Sequence, residues 1–202
     1  PPAHTSSHSE TQREEAAEDL GTLGILAEAL NDEERRTLAT KQWAHFYETD
    51  GDFESGLEMS ERATELAQQI GATSLAADSY NHWGKLLYLS GNPQKASELL
   101  QEALTLSQRV DDKVIQASTV DNQGVVSYYQ ADYEIALLYF QQAVALWETL
   151  NDVVAQGNSL QNLGRAYYTI GQLVTARDFY VKAVDHQNQI GDWVGEALTQ
   201  QY

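Results

Sequence analysis

The chain repeats itself every forty residues, and this period constrains its fold more than any single motif does. One column of glycine and two columns of alanine recur at fixed phases of the repeat. The columns are Gly84, Gly124 and Gly164; Ala96, Ala136 and Ala176; and Ala63, Ala103, Ala143 and Ala183. A fixed period of this length is typical of stacked supersecondary units, each of which shelters the apolar face of the next. We therefore expect a solenoid with an extended binding surface rather than one globular core.

Each repeat contains two helical segments joined by a tight turn. The predicted first helices are residues 34–48, 74–88, 114–129 and 154–169, and the predicted second helices are residues 53–69, 93–109, 133–149 and 173–189. Glycine in the turn, as at Gly51 and Gly91, permits the positive φ that ends a helix. Asp52, Asn92 and Asp132 follow the turns and are predicted to cap the second helices.

Apolar spacing in the second helices predicts how neighbouring helices pack. Ala136, Phe140 and Ala143 recur at intervals of four and three, which places them on one helix face. A small residue lets two helix backbones approach closely, and a large neighbouring side chain fills the space beside it. The sequence therefore predicts an all-α superhelix of stacked antiparallel helix pairs.

The ends of the chain follow the repeat only in part. Residues 13–30 match the second-helix phase and predict half of an earlier repeat, followed by full repeats at 31–70, 71–110, 111–150 and 151–190. Residues 191–202 predict the first helix of a truncated repeat, and residues 1–12 predict a disordered tail or a cloning remnant. A half-repeat exposes an apolar face. We therefore expect either a fragment of a longer array or self-association through uncapped ends.

Composition excludes several classes of partner. The net charge of −18 repels nucleic acid and anionic membranes, so the expected partner is a protein or peptide, and a basic one is favoured electrostatically. No apolar run approaches the ~18 residues of a membrane helix, and the first residues lack the pattern of a signal peptide. Cysteine is absent, which excludes disulfides and thiolate metal sites and fits a cytoplasmic protein.

The repeat columns resemble the signature of the tetratricopeptide repeat (TPR) family. The repeat at 151–190 carries the signature residues Leu163, Gly164, Tyr167, Ala176, Tyr180 and Ala183. The forty-residue form is similar to the repeats of kinesin light chains, of the Leu-Gly-Asn repeat adaptor and of sensor arrays in bacterial regulators. This resemblance implies a concave surface, lined by the first helices, that binds a peptide, a protein or a small ligand.

Helical spacing along the first helices then predicts the residues that contact a partner. These side chains are polar, aromatic or cationic: Gln42, His82, Lys85, Asn122, Tyr129, Asn158, Asn162 and Arg165. Asparagine offers a donor and an acceptor to a peptide backbone, and Lys85 and Arg165 are candidates for binding a carboxylate. The alternative interpretation is that these residues are simply the solvated face of each helix.

No motif typical of catalysis or metal binding occurs in the sequence. There is no His-Glu-x-x-His pair, no phosphate-binding loop and no Gly-x-Ser-x-Gly elbow. We interpret His45 and His82 as unrelated polar residues in offset columns. The sequence therefore predicts a protein that is not an enzyme and has no metal or cofactor.

Two functions fit these observations. The first is a scaffold that binds a protein or peptide in the groove lined by the first helices. The alternative is a ligand-sensing segment of a larger bacterial signalling protein, such as an ATPase, a protease or a transcription regulator.

Overall fold

Consecutive α-helices build the described part of the chain. The computed structural model describes the backbone of residues 4–190 and the side chains of residues 13–186 and 188. The helices are α1 (His4–Ala29), α2 (Glu33–Asp50), α3 (Phe53–Gln69), α4 (Thr73–Leu89), α5 (Pro93–Arg109), α6 (Lys113–Tyr129), α7 (Tyr133–Leu150), α8 (Val153–Thr169) and α9 (Leu173–Ile190). Each helix packs against the next in sequence, which confirms the predicted all-α solenoid. No helix among these residues is both long enough and apolar enough to cross a bilayer.

The helix bounds follow the forty-residue period closely. The observed first and second helices begin and end within two residues of the predicted positions. Helix α1 begins at His4, so residues 4–12 continue this helix where a disordered tail was expected. Its second and third turns contain Glu10, Gln12 and Glu14, which are residue types that favour helix. The helix predicted at 191–202, like residues 1–3, lies outside the described residues.

The turns within each helix pair place one residue in the left-handed region at the same repeat position. These residues are Gly51, Gly91, Ala131 and Gly171, with φ of 79°, 87°, 65° and 79°. The backbone N–H at this position donates to the end of the preceding helix, as from Gly51 to the Glu48 carbonyl at 3.1 Å. Glycine adopts this conformation without a steric penalty, but alanine does not. The turn at Ala131 is therefore the strained member of the set.

Side-chain caps begin the second helices α3 and α5 as predicted. Asp52 accepts a hydrogen bond from the Ser55 N–H at 3.1 Å, and Asn92 accepts one from the Lys95 N–H at 3.3 Å. The predicted cap at Asp132 is wrong, because its side chain makes no hydrogen bond to the start of α7. Asp132 is exposed, so water can solvate its carboxylate instead.

The glycine column lies where paired helices approach most closely. A Cβ at Gly124 would lie 2.6 Å from two ring atoms of Phe140, and a Cβ at Gly164 would lie 2.7 Å from the Tyr180 ring. Gly84 repeats the arrangement against Leu100 at 2.8 Å. Phe140 and Leu100 are fully buried. The small–large pairing inferred from the sequence is therefore the contact that fixes the spacing within the pairs α4–α5, α6–α7 and α8–α9, whereas Ala44 takes the place of the glycine in α2.

Replacing Gly124 with alanine tests this contact. We expect Gly124→Ala to lower the free energy of unfolding by about 1–3 kcal/mol, because the buried Phe140 ring cannot move away from the added methyl group. The matched control is Gly24→Ala, since a Cβ at Gly24 meets nothing within 4 Å. Alanine favours helix over glycine by up to about 1 kcal/mol, so the control should be neutral or stabilising in urea unfolding. Equal effects of both substitutions would contradict the packing account.

The turn at Ala131 generates a prediction of the opposite sign. Ala131→Gly should stabilise the protein by about 0.5–1 kcal/mol, because glycine removes a left-handed strain of ~1–2 kcal/mol but loses some of that gain to chain entropy. Gly91→Ala, at the equivalent position of the preceding repeat, should destabilise it by a similar amount. Thermal unfolding followed by circular dichroism measures both, and a destabilised Ala131→Gly protein would refute the assignment of strain.

Candidate functional site

The first helices of consecutive repeats line a polar groove. A cavity of about 630 Å³ lies along it, with walls from α2, α4, α6 and α8. Its lining residues are Lys41, Gln42, His45, Asp78, Asn81, His82, Lys85, Ser118, Asp121, Asn122, Trp147, Ala155 and Asn158. Only Trp147 comes from a second helix, α7. Nearly all the side chains that line the groove therefore come from the first helices, as the sequence analysis predicted.

Five of the eight predicted partner-binding residues line this cavity: Gln42, His82, Lys85, Asn122 and Asn158. Gln42 and Asn158 are exposed, whereas His82, Lys85 and Asn122 are half-buried. The groove therefore brings together side chains that lie up to 116 residues apart in the chain.

Tyr129, Asn162 and Arg165 are not part of the cavity lining. Tyr129 is 61% exposed and stacks on Tyr88, with ring centroids 6.0 Å apart. The Arg165 guanidinium lies 4.8 Å from the centre of the Tyr128 ring and donates to the Asn162 carbonyl at 3.2 Å. These residues extend the polar and aromatic surface along α6 and α8 beyond the cavity.

Side chains of neighbouring first helices meet at two fixed offsets. Asn81 donates to Ser118 Oγ at 3.0 Å, an offset of 37 residues, and accepts from Asn122 Nδ2 at 2.9 Å, an offset of 41 residues. The two partners are four residues apart, so they occupy adjacent turns of α6. A side chain of one first helix therefore fits between two turns of the next. In this way Asn81 connects α4 to α6 within the groove lining.

The same offsets recur along the groove. Lys41 pairs with Asp78 at the offset of 37 residues, and Asn162 Nδ2 donates to Asp121 Oδ1 at 3.4 Å at the offset of 41 residues. The sequence analysis missed Lys41 and Asn81. Both belong to the forty-residue column of Asp121, so this column was the signal that could have revealed them.

Asn122 keeps part of its hydrogen-bonding capacity for a ligand. One amide N–H is used by Asn81, but the Asn122 carbonyl oxygen accepts no hydrogen bond from the part of the chain that the structure describes. The amide thus presents an acceptor and a second N–H to the cavity. The position of Asn122 is compatible with its predicted contact with a partner. Its hydrogen bond to Asn81 also stabilises the packing of α6 against α4.

Asp121 is a half-buried carboxylate at the centre of the groove. Burial raises its pKa to about 6, although hydrogen bonds from Asn162 and Ser159 and the charge of Arg165 act in the opposite direction. Lys41 and Lys85, the two lysines of the cavity lining, are engaged by Asp78 and Glu48. Asp121 is therefore the acidic group of the cavity whose negative charge is least compensated.

Glu48 has the opposite electrostatic environment at the α2 end of the groove. Burial acts to raise its pKa, but hydrogen bonds from His82 and Lys85, together with their charges, lower it to about 2. The Lys85 ammonium lies 2.5 Å from Glu48 Oε1, and His82 Nε2 lies 2.9 Å from Glu48 Oε2. The His45 and His82 rings lie 6.0 Å apart, so the interpretation of these histidines as unrelated is wrong. The 37-residue offset, rather than the forty-residue phase, brings them together.

Comparison with known proteins identifies the family. The profile of the tetratricopeptide repeat family matches residues 36–109 and 115–189. The chain belongs to this family. Its described helix pairs are therefore TPR units, and the family consists largely of non-catalytic scaffolds. No curated protein sequence matches the chain significantly.

Solved structures share the TPR fold at low sequence identity. A Rap protein complexed with Competence and Sporulation Factor is 17% identical with a TM-score of 0.82, over 95% of this chain and 55% of that protein. The Rap conjugation gene regulator of plasmid pLS20, in complex with the Phr* peptide, is 18% identical with a TM-score of 0.71, over 88% of this chain and 55% of that protein. Kinesin light chain TPR-like repeats from Podosopora anserina are 18% identical with a TM-score of 0.66, over 91% of this chain and 90% of that one. The chain thus spans about half the length of each Rap protein.

The raised pKa of Asp121 predicts a pH-dependent effect of Asp121→Asn. A carboxyl group whose folded-state pKa lies above its unfolded value destabilises the fold at pH values above the folded pKa, and this penalty disappears below the unfolded pKa. Asp121→Asn should therefore stabilise the protein by about 1–3 kcal/mol at pH 7 and by progressively less as the pH falls from 6 to 4.

Urea unfolding at pH 4, 5, 6 and 7 measures this difference. The matched control is Asp132→Asn, which removes an exposed carboxylate that caps no helix. An Asp121→Asn protein that is less stable than the parent protein at pH 7 would contradict the account of a destabilising buried charge.

Proposed function

We propose that this protein is a non-enzymatic scaffold that binds a peptide, or an exposed segment of a partner protein, in the groove formed by α2, α4, α6 and α8. The single observation that supports this function most strongly is the groove itself, a cavity of about 630 Å³ whose lining residues are mostly of polar or charged type and come from consecutive repeats. An extended chain carries a regular series of backbone donors and acceptors. A repeated series of amide side chains can match that series.

Exposed and half-buried amides give this surface its recognition chemistry. Gln42, Asn122 and Asn158 reach the cavity from α2, α6 and α8, so amide groups are spread along its length. Asn162 and Arg165 continue the polar surface along α8. We assign to these residues, with His82, Lys85 and Tyr129, the contacts with the partner. A ligand that spans several repeats would contact all four helices at once.

The partner is proposed to carry a positive charge. The whole chain has a net charge of −18, which attracts a basic ligand at long range. Within the groove, Asp121 has neither of the cavity lysines beside it and retains an unfavourable burial energy that a bound ammonium or guanidinium group would reduce. The same charge disfavours nucleic acid and anionic membranes as partners.

The Rap structures support a peptide ligand for a fold of this kind. One is a complex with the Phr* peptide and another is a complex with Competence and Sporulation Factor. Their sequence identities of 18% and 17% show the shared fold alone. Peptide binding by this chain is therefore a proposal that rests on its own groove residues.

Selection from a random peptide library provides the test. We expect enrichment of peptides with a lysine or arginine, and we expect Asn122→Ala and Asn162→Ala to weaken the selected peptides by about tenfold each, the loss of one or two well-placed hydrogen bonds. Asp121→Asn should weaken basic peptides and leave neutral ones largely unaffected. Fluorescence anisotropy with labelled peptides measures the affinities at two salt concentrations.

The control substitution is Gln101→Ala, which removes an exposed amide from the second helix α5, outside the groove. This variant should bind like the parent protein. Unchanged affinity of both asparagine variants for every selected peptide would show that the peptides do not bind in this groove. Circular dichroism of each variant separates loss of binding from loss of fold, because Asn122 also bonds to Asn81.

A regulatory segment of a larger signalling protein is the second candidate. The observation in its favour is that the chain spans 55% of a conjugation gene regulator with the same fold. The sequence of the gene on both sides of these residues decides between the two functions. An ATPase, protease or DNA-binding region in the same reading frame would favour the regulatory function, and its absence would favour the scaffold.

Self-association through the ends of the array is a separate proposal. Leu173, Val174 and Val181 of α9 are 59%, 70% and 52% exposed, so α9 presents apolar side chains to solvent. Light scattering over a range of concentrations addresses this proposal. A strict monomer at high concentration would refute it.

We also assign the protein to the cytoplasm, because a cysteine-free, acidic chain suits a reducing compartment.

A further inference from the structure

Three side chains with metal-binding atoms converge at the α2 end of the groove. His45 Nδ1 lies 3.4 Å from Glu48 Oε2, and His82 Nε2 lies 2.9 Å from the same oxygen. All three ligand atoms lie within 4.8 Å of one another. In a tetrahedral zinc site with bonds of about 2.0–2.1 Å, neighbouring ligand atoms lie about 3.3 Å apart. Small side-chain movements would therefore complete the geometry of such a site.

The helices hold two of these ligands firmly and leave the third adjustable. His45 and Glu48 are three residues apart on α2, so they share one helix face. His82 enters from α4. The side chains of Glu48 and His82 are 12% and 13% exposed, whereas that of His45 is 60% exposed and can rotate to close the site. This combination gives the site a preformed pair and a mobile third ligand.

A hydrogen bond with Ser60 fixes the orientation of the His82 ring. Ser60, which is buried, lies with its Oγ 3.1 Å from His82 Nδ1. When an ion replaces the hydrogen bond between Nε2 and Glu48, the proton of His82 lies on Nδ1 and is donated to Ser60, so that Nε2 presents its lone pair to the ion. Lys85 pairs with Glu48 Oε1 and so leaves Oε2 facing the two histidines. A partner such as Ser60 is what orients a histidine ligand in established metal sites.

We propose that His45, Glu48 and His82 form a binding site for a divalent transition metal of the zinc class. Two imidazole nitrogens and one carboxylate oxygen are a ligand set that zinc accepts, and three protein ligands leave a fourth position open. His45 and His82 line the cavity, so this open position faces the groove. The metal site stands on its own geometry and does not depend on peptide binding.

Lys85 distinguishes this site from a simple ion-pair network. Its ammonium repels a dication and competes for the charge of Glu48. Removing the ammonium should therefore strengthen metal binding. If the cluster serves only to stabilise the fold, loss of Lys85 would break an ion pair and give no gain in metal affinity.

Calorimetric titration of the full chain with Zn²⁺ at pH 7 tests the site. Since His4 and His8 could bind zinc independently, all proteins carry His4→Ala and His8→Ala. We expect one zinc ion per chain, and we expect His45→Ala and His82→Ala each to weaken binding at least about tenfold, because even the loss of an outer-shell partner costs 10–100-fold. Ser60→Ala should weaken binding about tenfold for the same reason.

The matched control is His186→Ala, which removes a histidine from α9 that lies away from this cluster. It should bind zinc like the parent protein. Lys85→Gln should bind zinc at least about twofold more tightly. Should His82→Ala fail to fold, His45→Ala decides the question, because the His45 side chain is 60% exposed and we expect its removal to leave the fold intact.

Cobalt provides a readout that a structural role would not affect. Co²⁺ in a tetrahedral nitrogen and oxygen site gives strong visible absorption bands, which should appear on titration of the parent protein and be absent from His45→Ala. Zinc binding that is missing from the parent protein, or that is equal in all variants, would overturn the proposal. Loss of binding in His82→Ala but not in His45→Ala would also overturn the three-ligand assignment.

Discussion

The close approach of a glycine to a large buried side chain is the contact on which the rest of this structure depends. At Gly124, a single added carbon would lie 2.6 Å from the Phe140 ring, so the two helices of this repeat can approach closely only because that carbon is missing. Gly84 and Gly164 repeat the contact against Leu100 and Tyr180. The spacing within the pairs α4–α5, α6–α7 and α8–α9 is set in this way, and the stacking of pairs then follows from their shared apolar faces.

This packing directs the first helices toward one surface and gives that surface two regions of different electrostatic character. At one end, Lys85 and His82 hold the pKa of Glu48 at about 2. At the centre, burial raises the pKa of Asp121 to about 6, because its hydrogen bonds and the nearby Arg165 do not offset the loss of water. The groove is therefore not uniformly acidic. It has a compensated charge cluster beside α2 and an uncompensated carboxylate on α6, and these two regions favour different ligands.

The forty-residue period predicted the fold well because it encodes contacts within a repeat. Helix bounds, the Asp52 and Asn92 caps and the glycine contacts all depend on residues close together in sequence. Contacts between repeats follow offsets of 37 and 41 residues, as for Lys41 with Asp78 and for Asn81 with Asn122. Those offsets depend on the rotation of one first helix relative to the next, and the phase of the repeat does not specify that rotation.

The candidate site was predicted only in part for the same physical reason. Helical spacing places Gln42, Asn122 and Asn158 on the exposed stripe of their helices, and all three line the cavity. It could not reveal that His45 and His82 meet across Glu48, because their offset of 37 residues differs from the period. The cap predicted at Asp132 failed because residue type alone does not fix a side-chain rotamer.

Hydrogen–deuterium exchange of the protein with a selected basic peptide would test the central claim most directly. The claim is that glycine-spaced helix pairs present their first helices as the binding surface. It predicts that the peptide slows exchange in α2, α4, α6 and α8 and leaves the second helices α3 and α5 unchanged. Protection confined to the second helices would place the ligand on the outer surface and contradict the account.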